Sequence, residues 1–273
     1  MSPNPSQGEK SKLRVISLGA GVQSSALYLA AARHRIGKVD AAIFADTGWE
    51  PKEVYKHLER LEKYGGGPPI HRVSAGNIRD TTATKDFYDA PYYLLHPNGD
   101  KGMARRQCTQ QLKIRPLRWK LTELLQEAGI PKRPGCVESL MGISLDEVQR
   151  VKPSDVQWVT SSYPLIEMRW TRADCETFLD GIGWKAPRSA CIGCPFHSDH
   201  EWRQIKERSP EEFADAVAFE REVQETNGQA GLRGTPFLHR SRVPLDEVDL
   251  STPEDHGQGV LTTDDECEGV CFV

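Results

Sequence analysis

The loop formed by residues 19–25 is the first stretch whose residue types suit chemistry. It reads Gly-Ala-Gly-Val-Gln-Ser-Ser, follows the apolar run 13–18 and precedes the alanine-rich segment 26–33. A strand, a tight loop and a helix in that order bring flexible glycines, two hydroxyls and the N–H groups of a helix N-terminus to one point. The sequence therefore predicts a phosphate-binding loop, with an ordinary βα turn as the alternative. The spacing matches neither G-x-G-x-x-G nor the lysine-containing P-loop, which disfavours the usual nucleoside triphosphatases.

Cysteine spacing supplies a second chemical signal. Cys191-Ile192-Gly193-Cys194 places two thiolates on one tight turn, where they can bind one metal ion or cluster. The chain has seven cysteines, shows no signal peptide and contains no apolar run long enough to span a bilayer. We therefore expect a cytoplasmic protein without a membrane partner, in which spaced cysteines indicate metal binding or catalysis more often than disulfides.

Alternating strands and helices must position these residues. A second strand over 41–45 ends in Asp46-Thr47-Gly48, a helix is predicted over 52–64, and a third strand over 70–73. This pattern predicts an α/β fold with a doubly wound, mostly parallel sheet. Ligands of such sheets lie beyond the carboxyl ends of the strands, where loop 19–25 and Asp46 both fall. The alternative role for Asp46 is the N-cap of the helix that follows Pro51.

Together the two strand ends resemble the N-type ATP pyrophosphatase superfamily, whose PP-loop reads S-G-G-x-D-S. The D-T-G that ends the second strand is similar to its phosphoadenosine phosphosulfate (PAPS) reductase branch. Gly19 replaces the first serine of the loop, and Gln23 replaces an aspartate that helps to organise magnesium. The resemblance implies a site for ATP or another adenine nucleotide, with Mg²⁺, formed by Ser17, Gly19, Ala20, Gly21, Val22, Gln23, Ser24, Ser25, Asp46, Thr47, Gly48, Gly142 and Arg150.

The resemblance extends to the cysteines. Cluster-bearing reductases carry a Cys-Cys pair before a Lys-Val-x-Pro-Leu segment, which Gln107-Cys108 and the segment 113–117 resemble. This implies that Cys108 joins Cys191 and Cys194 as ligands of a 4Fe–4S cluster, whereas four thiolates also suit zinc. The fourth ligand must come from Cys136, Cys175, Cys267 or Cys271. We assign Cys175, because its helix, predicted over 172–179, closely precedes Cys191; the alternative is that Cys175 packs on Trp170 behind a capping Thr171.

Basic residues follow a long segment without clear periodicity, 77–102, which predicts a lid or a recognition arm. Arg105, Arg106 and Lys113 are the candidate substrate-binding residues for a sulfate, a phosphate or a stretch of nucleic acid. The alternative is a solvated loop with scattered charges. The net charge of −4 gives no nucleic-acid signal for the whole chain, so any basic surface must be local.

Three functions are compatible with these residues. In the first, ATP activates a substrate such as tRNA, DNA or a small molecule for sulfur transfer, with a cysteine desulfurase as a possible sulfur donor. In the second, the enzyme reduces adenylyl sulfate or PAPS to sulfite, with Cys267 as the nucleophile and thioredoxin as the reductant. In the third, the chain binds nucleotide or nucleic acid without catalysis.

The 273 residues, 38% of them hydrophobic, suit one α/β domain with an appended subdomain. The predicted organisation is a polar, disordered lead-in over 1–11, a Rossmann-like PP-loop domain over 12–165, and a smaller C-terminal helical, cysteine-containing subdomain with a tail over 166–273.

Overall fold

The computed structural model describes residues 12–80, 90–230 and 232–251. It contains eight strands over these ranges: β1 Leu13–Leu18, β2 Ala41–Asp46, β3 Ile70–Ser74, β4 Tyr93–Leu95, β5 Lys101–Met103, β6 Val137–Met141, β7 Val159–Ser162 and β8 Thr235–Phe237. Five of them form a parallel sheet in the order β3-β2-β1-β6-β7, and the other three form a small antiparallel sheet in the order β5-β4-β8.

The helices are α1 Val22–Ala32, α2 Lys52–Glu62, α3 Arg115–Glu127, α4 Pro164–Glu167, α5 Arg172–Gly181, α6 Asp199–Arg208 and α7 Pro210–Ala230. A π-helix, Thr109–Ile114, runs directly into α3, and a 3₁₀-helix covers Leu145–Arg150. Among the described residues, no helix combines the length and the apolar character needed to cross a membrane.

Helices cover both faces of the parallel sheet. Ile16 and Leu18 of β1 point into a core shared with α1, α2 and α5, whereas Leu13 and Val15 pack against α3 on the other face. Burial on both faces explains why β1 reads as a nearly continuous apolar run and not as an alternating one. The predicted α/β fold with a doubly wound, mostly parallel sheet is confirmed.

A second core lies beside the sheet and contains several large aromatic side chains. Trp202, Phe213 and Phe219, from α6 and α7, pack there with Tyr92 and Leu94. The helical, cysteine-containing region predicted after residue 166 is therefore present. The packing nevertheless crosses the predicted boundary at residue 165, because α5 packs on α1 in the first core and β4 pairs with β8.

The segment 77–102, predicted to lack elements of its own, carries the β4–β5 hairpin; its residues 81–89 lie outside the described ranges. Strands β4 and β5 are each three residues long, and β4 also pairs with β8, which is distant in sequence. Such short strands depend on non-local pairing, so local periodicity does not reveal them.

Candidate functional site

A pocket of about 60 Å³ opens between the carboxyl ends of β1 and β6. In the sheet, β2 and β3 follow β1 on one side, whereas β6, the next strand of this sheet along the chain, lies on the other side of β1. Ligands of open α/β sheets bind at such a reversal of strand order. The pocket is lined by Ser17, Gly19, Gly21, Val22, Gln23, Ser24, Met141, Gly142, Ile143, Glu147, Arg150 and Ser189. The structure thus brings the loop 19–25 together with Gly142 and Arg150.

The backbone of the loop is shaped by Ala20 and Gly21. Ala20 holds a left-handed conformation, with φ 58°, and Gly21 is the N-cap of α1. No capping side chain bonds the first turn of α1, so its N–H groups are available to an anion, which the helix dipole also favours. A Cβ on Gly142 would lie 2.8 Å from the backbone N of Ser24, so only glycine lets β6 approach this turn.

Gln23 takes part in a polar network across the pocket. Its Nε2 donates to Oε2 of Glu147 at 3.2 Å, and Arg150 pairs with Oε1 of the same carboxylate. An aspartate at position 23 would face Glu147 with a like charge, which gives a physical reason for glutamine here. Sequence reasoning missed Glu147 and Ser189: Glu147 lies in the same stretch as Arg150, whereas no sequence signal marks Ser189.

Ser25 belongs to the loop but does not line the pocket. It is fully buried, and its Oγ lies 2.8 Å from Nε2 of His57 on α2. Burial, with a smaller contribution from the charge of Arg60, lowers the pKa of His57 to about 4. The histidine is therefore neutral near pH 7 and anchors the loop to α2.

This lowered pKa predicts a loss of stability in acid. Between pH 6.5 and about 4 the unfolded chain protonates this histidine and the folded chain does not, so the free energy of unfolding falls as the pH falls. We expect the wild type to lose about 1 to 2 kcal/mol more between pH 7 and pH 5 than His57→Gln, which can retain the bond to Ser25. Urea unfolding at the two pH values measures this. The same pH dependence of the free energy of unfolding in both proteins would contradict this prediction. The buried His197 is present in both proteins, so its own contribution cancels in the comparison.

The end of β2 forms a separate polar cluster. Oδ1 of Asp46 accepts from the backbone N of Gly48 at 2.7 Å and from the hydroxyl of Tyr55 at 2.8 Å. Pro51 is the N-cap of α2, so the alternative role of Asp46 as that cap is wrong. Asp46, Thr47 and Gly48 are absent from the described lining of the loop pocket, and their role in nucleotide binding stays a prediction.

Thr47, the residue after β2, contacts one of the cysteines. Its Oγ1 donates to Oε1 of Glu50 at 3.1 Å and lies 3.1 Å from Sγ of Cys191. Lys113, on the π-helix, places its Nζ 3.7 Å from the same Glu50 oxygen, and the two charged side chains are 4% and 1% exposed. Lys113, predicted to bind substrate, is thus half of a buried ion pair behind Cys191. π-Helical turns occur frequently at functional sites.

Three of the predicted metal ligands meet in one small pocket. Cys108, Cys191 and Cys194 line it together with Trp49, Arg106 and Phe196. The guanidinium of Arg106 lies 5.3 Å from the centre of the Phe196 ring, whereas Arg105 is exposed. A Cβ on Gly193 would lie 2.2 Å from the ring of Trp49, which explains why glycine separates the two cysteines of the turn.

Cys175, the assigned fourth ligand, is placed elsewhere. It is fully buried in the core between the sheet and α5, with Trp170 packed against that core, and Thr171 and Asp174 form a capping box. Burial raises the pKa of its thiol to about 12, so it is protonated at neutral pH, whereas a metal ligand must be a thiolate. The surroundings of Cys175 agree with its alternative role, in which it packs near Trp170 behind the capping Thr171.

The described residues do not fit a four-thiolate metal centre. Cys136 is buried against α3 and shares no pocket with the other cysteines. Among the residues of the described ranges, no three His, Cys, Asp or Glu side chains are arranged to hold a metal ion. Cys267 and Cys271, the predicted nucleophile and a candidate ligand, lie outside those ranges. Iron–sulfur and zinc ligation therefore stay predictions, and no chemical step is derived from them.

A third cavity, which sequence reasoning did not identify, is a cleft of about 640 Å³. We call it the basic cleft. It lies between α2, α6 and the segment 185–190, and it is lined by Pro51, Glu53, Lys56, His57, Arg60, Lys185, Ala186, Pro187, Arg188, Ala190, His197, Glu201, Gln204, Ile205, Arg208, Ser209 and Glu212. Burial lowers the pKa of His197 to about 4, so lysines and arginines supply the positive charge of the cleft near neutral pH.

One short segment joins the three cavities. Residues 185–188 and Ala190 line the basic cleft, Ser189 between them lines the loop pocket, and Cys191 and residues 193–196 line the cysteine pocket. Residues that are adjacent in the chain therefore line neighbouring parts of these three cavities.

No protein-family model matches the chain, and no curated protein shows significant similarity. Among solved structures, phosphoadenylyl-sulfate (PAPS) reductase from Candida auris in its phosphate complex aligns with 63% of this chain and 74% of its own, at 12% identity and a TM-score of 0.41. A similarity at this level carries no argument about function, so the function proposed below rests on the geometry of the site.

Proposed function

We propose that the chain is a PAPS reductase-like enzyme that binds an adenine nucleotide between the carboxyl ends of β1 and β6 and couples it to sulfur chemistry. The observation that carries this proposal is the position of the loop pocket at the reversal of strand order, with the uncapped first turn of α1 on one side and Arg150 on the other. Anion-binding backbone groups and a guanidinium there suit the phosphates of a nucleotide.

Arg150 provides the direct test of nucleotide binding. Its guanidinium lines the pocket and is held by Glu147, so a phosphate would gain a charge-assisted hydrogen bond from it. We expect Arg150→Ala to weaken the binding of ATP or of adenylyl sulfate, whichever the wild type binds more tightly, by about tenfold or more. Isothermal titration calorimetry measures both affinities.

Arg33→Ala is the matched control, because Arg33 follows the other end of α1 and is exposed. It removes the same charge far from the pocket and is expected to leave both affinities unchanged. Equal affinities in wild type and Arg150→Ala, with both proteins folded by urea unfolding, would contradict this assignment of the phosphate site.

The reaction that we favour is ATP-dependent activation of an acceptor followed by sulfur transfer. The support is the shared segment 185–196, which places the cysteine pocket next to the loop pocket. ATP would activate an acceptor oxygen as an adenylyl ester and release pyrophosphate, and a sulfur nucleophile would then displace AMP. Loop backbone groups and Arg150 would hold the phosphates. A cysteine desulfurase as sulfur donor, Mg²⁺ and a cytoplasmic location stay predictions from the sequence.

Substrate turnover separates this reaction from its alternatives. Pyrophosphate release from ATP in the presence of an acceptor supports activation. Sulfite release from adenylyl sulfate or PAPS with thioredoxin, abolished by Cys267→Ser, would support the reductase instead. Tight nucleotide binding without turnover of any of the three nucleotides would support a non-catalytic binding module. Iron, sulfide and zinc determined on anaerobically purified protein would test the metal predictions independently of activity.

A further inference from the structure

The basic cleft concentrates positive charge in a chain whose net charge is −4. Five of its lining residues are lysines or arginines, contributed by three separate elements: Lys56, Arg60, Lys185, Arg188 and Arg208. Three glutamates also line it, and one of them, Glu201, pairs with Arg188; five cations against three carboxylates leave the lining with a net charge of +2. The cleft therefore presents a local positive field to an anionic partner.

Four of these cations are accessible to an anionic partner. Lys56, Arg60, Lys185 and Arg208 are exposed, and they come from α2, from the segment after α5 and from the end of α6. Four cations around a cleft of about 640 Å³ are more than one phosphate group would contact. Such an arrangement suits a ligand that carries several spaced negative charges.

Arg60 also offers a flat surface. Its guanidinium lies 3.9 Å from the centre of the Trp184 ring and donates from Nη2 to the carbonyl of Gly183 at 2.9 Å. Trp184 is buried, so the tryptophan fixes the plane of the guanidinium while Arg60 itself is exposed. Unpaired nucleobases stack on guanidinium groups whose plane is fixed by their surroundings. The carboxylates of an acidic peptide would make no such stacking contact with Arg60.

We propose that the basic cleft binds a single strand of nucleic acid, with its phosphates on Lys56, Lys185 and Arg208 and a base stacked on Arg60. Because the segment 185–190 lines the cleft and Ser189 reaches the loop pocket, the strand would lie beside the nucleotide and would be the acceptor. The acceptor role rests on the proposed function, whereas binding of the strand does not.

Fluorescence anisotropy with labelled ten-nucleotide DNA and RNA strands of one sequence tests the binding. Three cation–phosphate contacts predict that log K falls against log salt concentration with a slope of about −2. In Lys56→Ala/Lys185→Ala we expect about tenfold weaker binding near 0.1 M salt and a slope smaller by about 1.4. The matched control is Lys38→Ala/Lys101→Ala, which removes the same charge from exposed sites outside the cleft and should change neither value.

Arg60→Lys tests the base contact, because it keeps the charge and removes the planar group. We expect it to weaken oligonucleotide binding several-fold and to leave inorganic polyphosphate binding unchanged. Equal effects of the cleft and control double variants, tighter binding of polyglutamate than of either strand, or an Arg60→Lys protein identical to the wild type would each overturn the proposal. A preference for RNA or for DNA identifies the source of the strand.

The failure of this proposal and the failure of the proposed function are distinguishable. Strand binding that is lost in the cleft variant, in a protein that does not bind ATP or adenylyl sulfate, would retain the cleft assignment and reject the nucleotide site. Nucleotide binding that depends on Arg150, in a protein that binds no strand, would do the reverse.

Discussion

Lys113→Met is expected to lower the free energy of unfolding by about 3 to 5 kcal/mol. Lys113 and Glu50 form an ion pair in which both side chains are almost wholly buried, and Oε2 of Glu50 has no hydrogen-bond partner among the described residues. Removal of the lysine would leave a carboxylate in a region of low dielectric without its counter-charge. Urea unfolding followed by tryptophan fluorescence measures the change.

A double variant separates the buried pair from a simple loss of packing. In Glu50→Gln/Lys113→Met both charges are removed, so we expect a loss below about 2 kcal/mol, smaller than for Lys113→Met alone. Lys120→Met is the matched control on α3: the ion pair of Lys120 with Glu123 is partly exposed, and its removal should cost less than about 1 kcal/mol. If the double variant is as unstable as Lys113→Met, the unpaired carboxylate is not the cause.

Gly142→Ala is expected to weaken nucleotide binding at least tenfold and to lower the free energy of unfolding by about 1 to 3 kcal/mol. The new Cβ would lie 2.8 Å from both N and Cα of Ser24, which are backbone atoms and cannot rotate away. The first turn of α1 must therefore move away from the end of β6, and this movement distorts the loop pocket. Calorimetric titration with ATP and with adenylyl sulfate, alongside urea unfolding, measures both effects.

Gly181→Ala is the control for this substitution. Gly181 is the last residue of α5, and a Cβ there meets no atom within 4 Å. We expect unchanged nucleotide affinity and a gain of roughly 0.5 to 1 kcal/mol, because alanine loses less backbone entropy than glycine in a helix. A folded Gly142→Ala protein with wild-type affinity would reject the loop pocket as the nucleotide site; if the variant does not fold, Arg150→Ala decides the question.

The buried strands and amphipathic helices were accessible from the sequence. The apolar run of β1, the glycine–serine loop after it and the heptad-like spacing of α2 are local patterns, and they predicted a parallel α/β sheet with its ligands at the carboxyl ends of the strands. The loop pocket lies at that edge, and Arg150 reaches it within one 3₁₀-helix of β6. Local periodicity is sufficient here because each element buries one continuous face or both.

Other features depended on contacts between distant parts of the chain. Lys113 was predicted to bind substrate, and only the tertiary packing makes it the buried partner of Glu50. Cys175 was assigned to a metal because it precedes Cys191 closely in sequence, whereas α5 turns it into the core on α1. The contacts of a helical residue depend on which face of its helix packs on the sheet. When a loop separates two residues, their spacing in the sequence does not determine that face.

The sequence by itself determined the fold class and the strand–loop–helix order around residues 19–25, because these elements are encoded by residues adjacent in the chain. The tertiary structure alone decided which groups surround that loop. Glu147 and Arg150 reach it from the 3₁₀-helix after β6 and Ser189 from the segment before Cys191, and the basic cleft is assembled from α2, α6 and the segment 185–190. Cavities arise between elements that are distant in sequence, so their charge and size appear only when those elements pack.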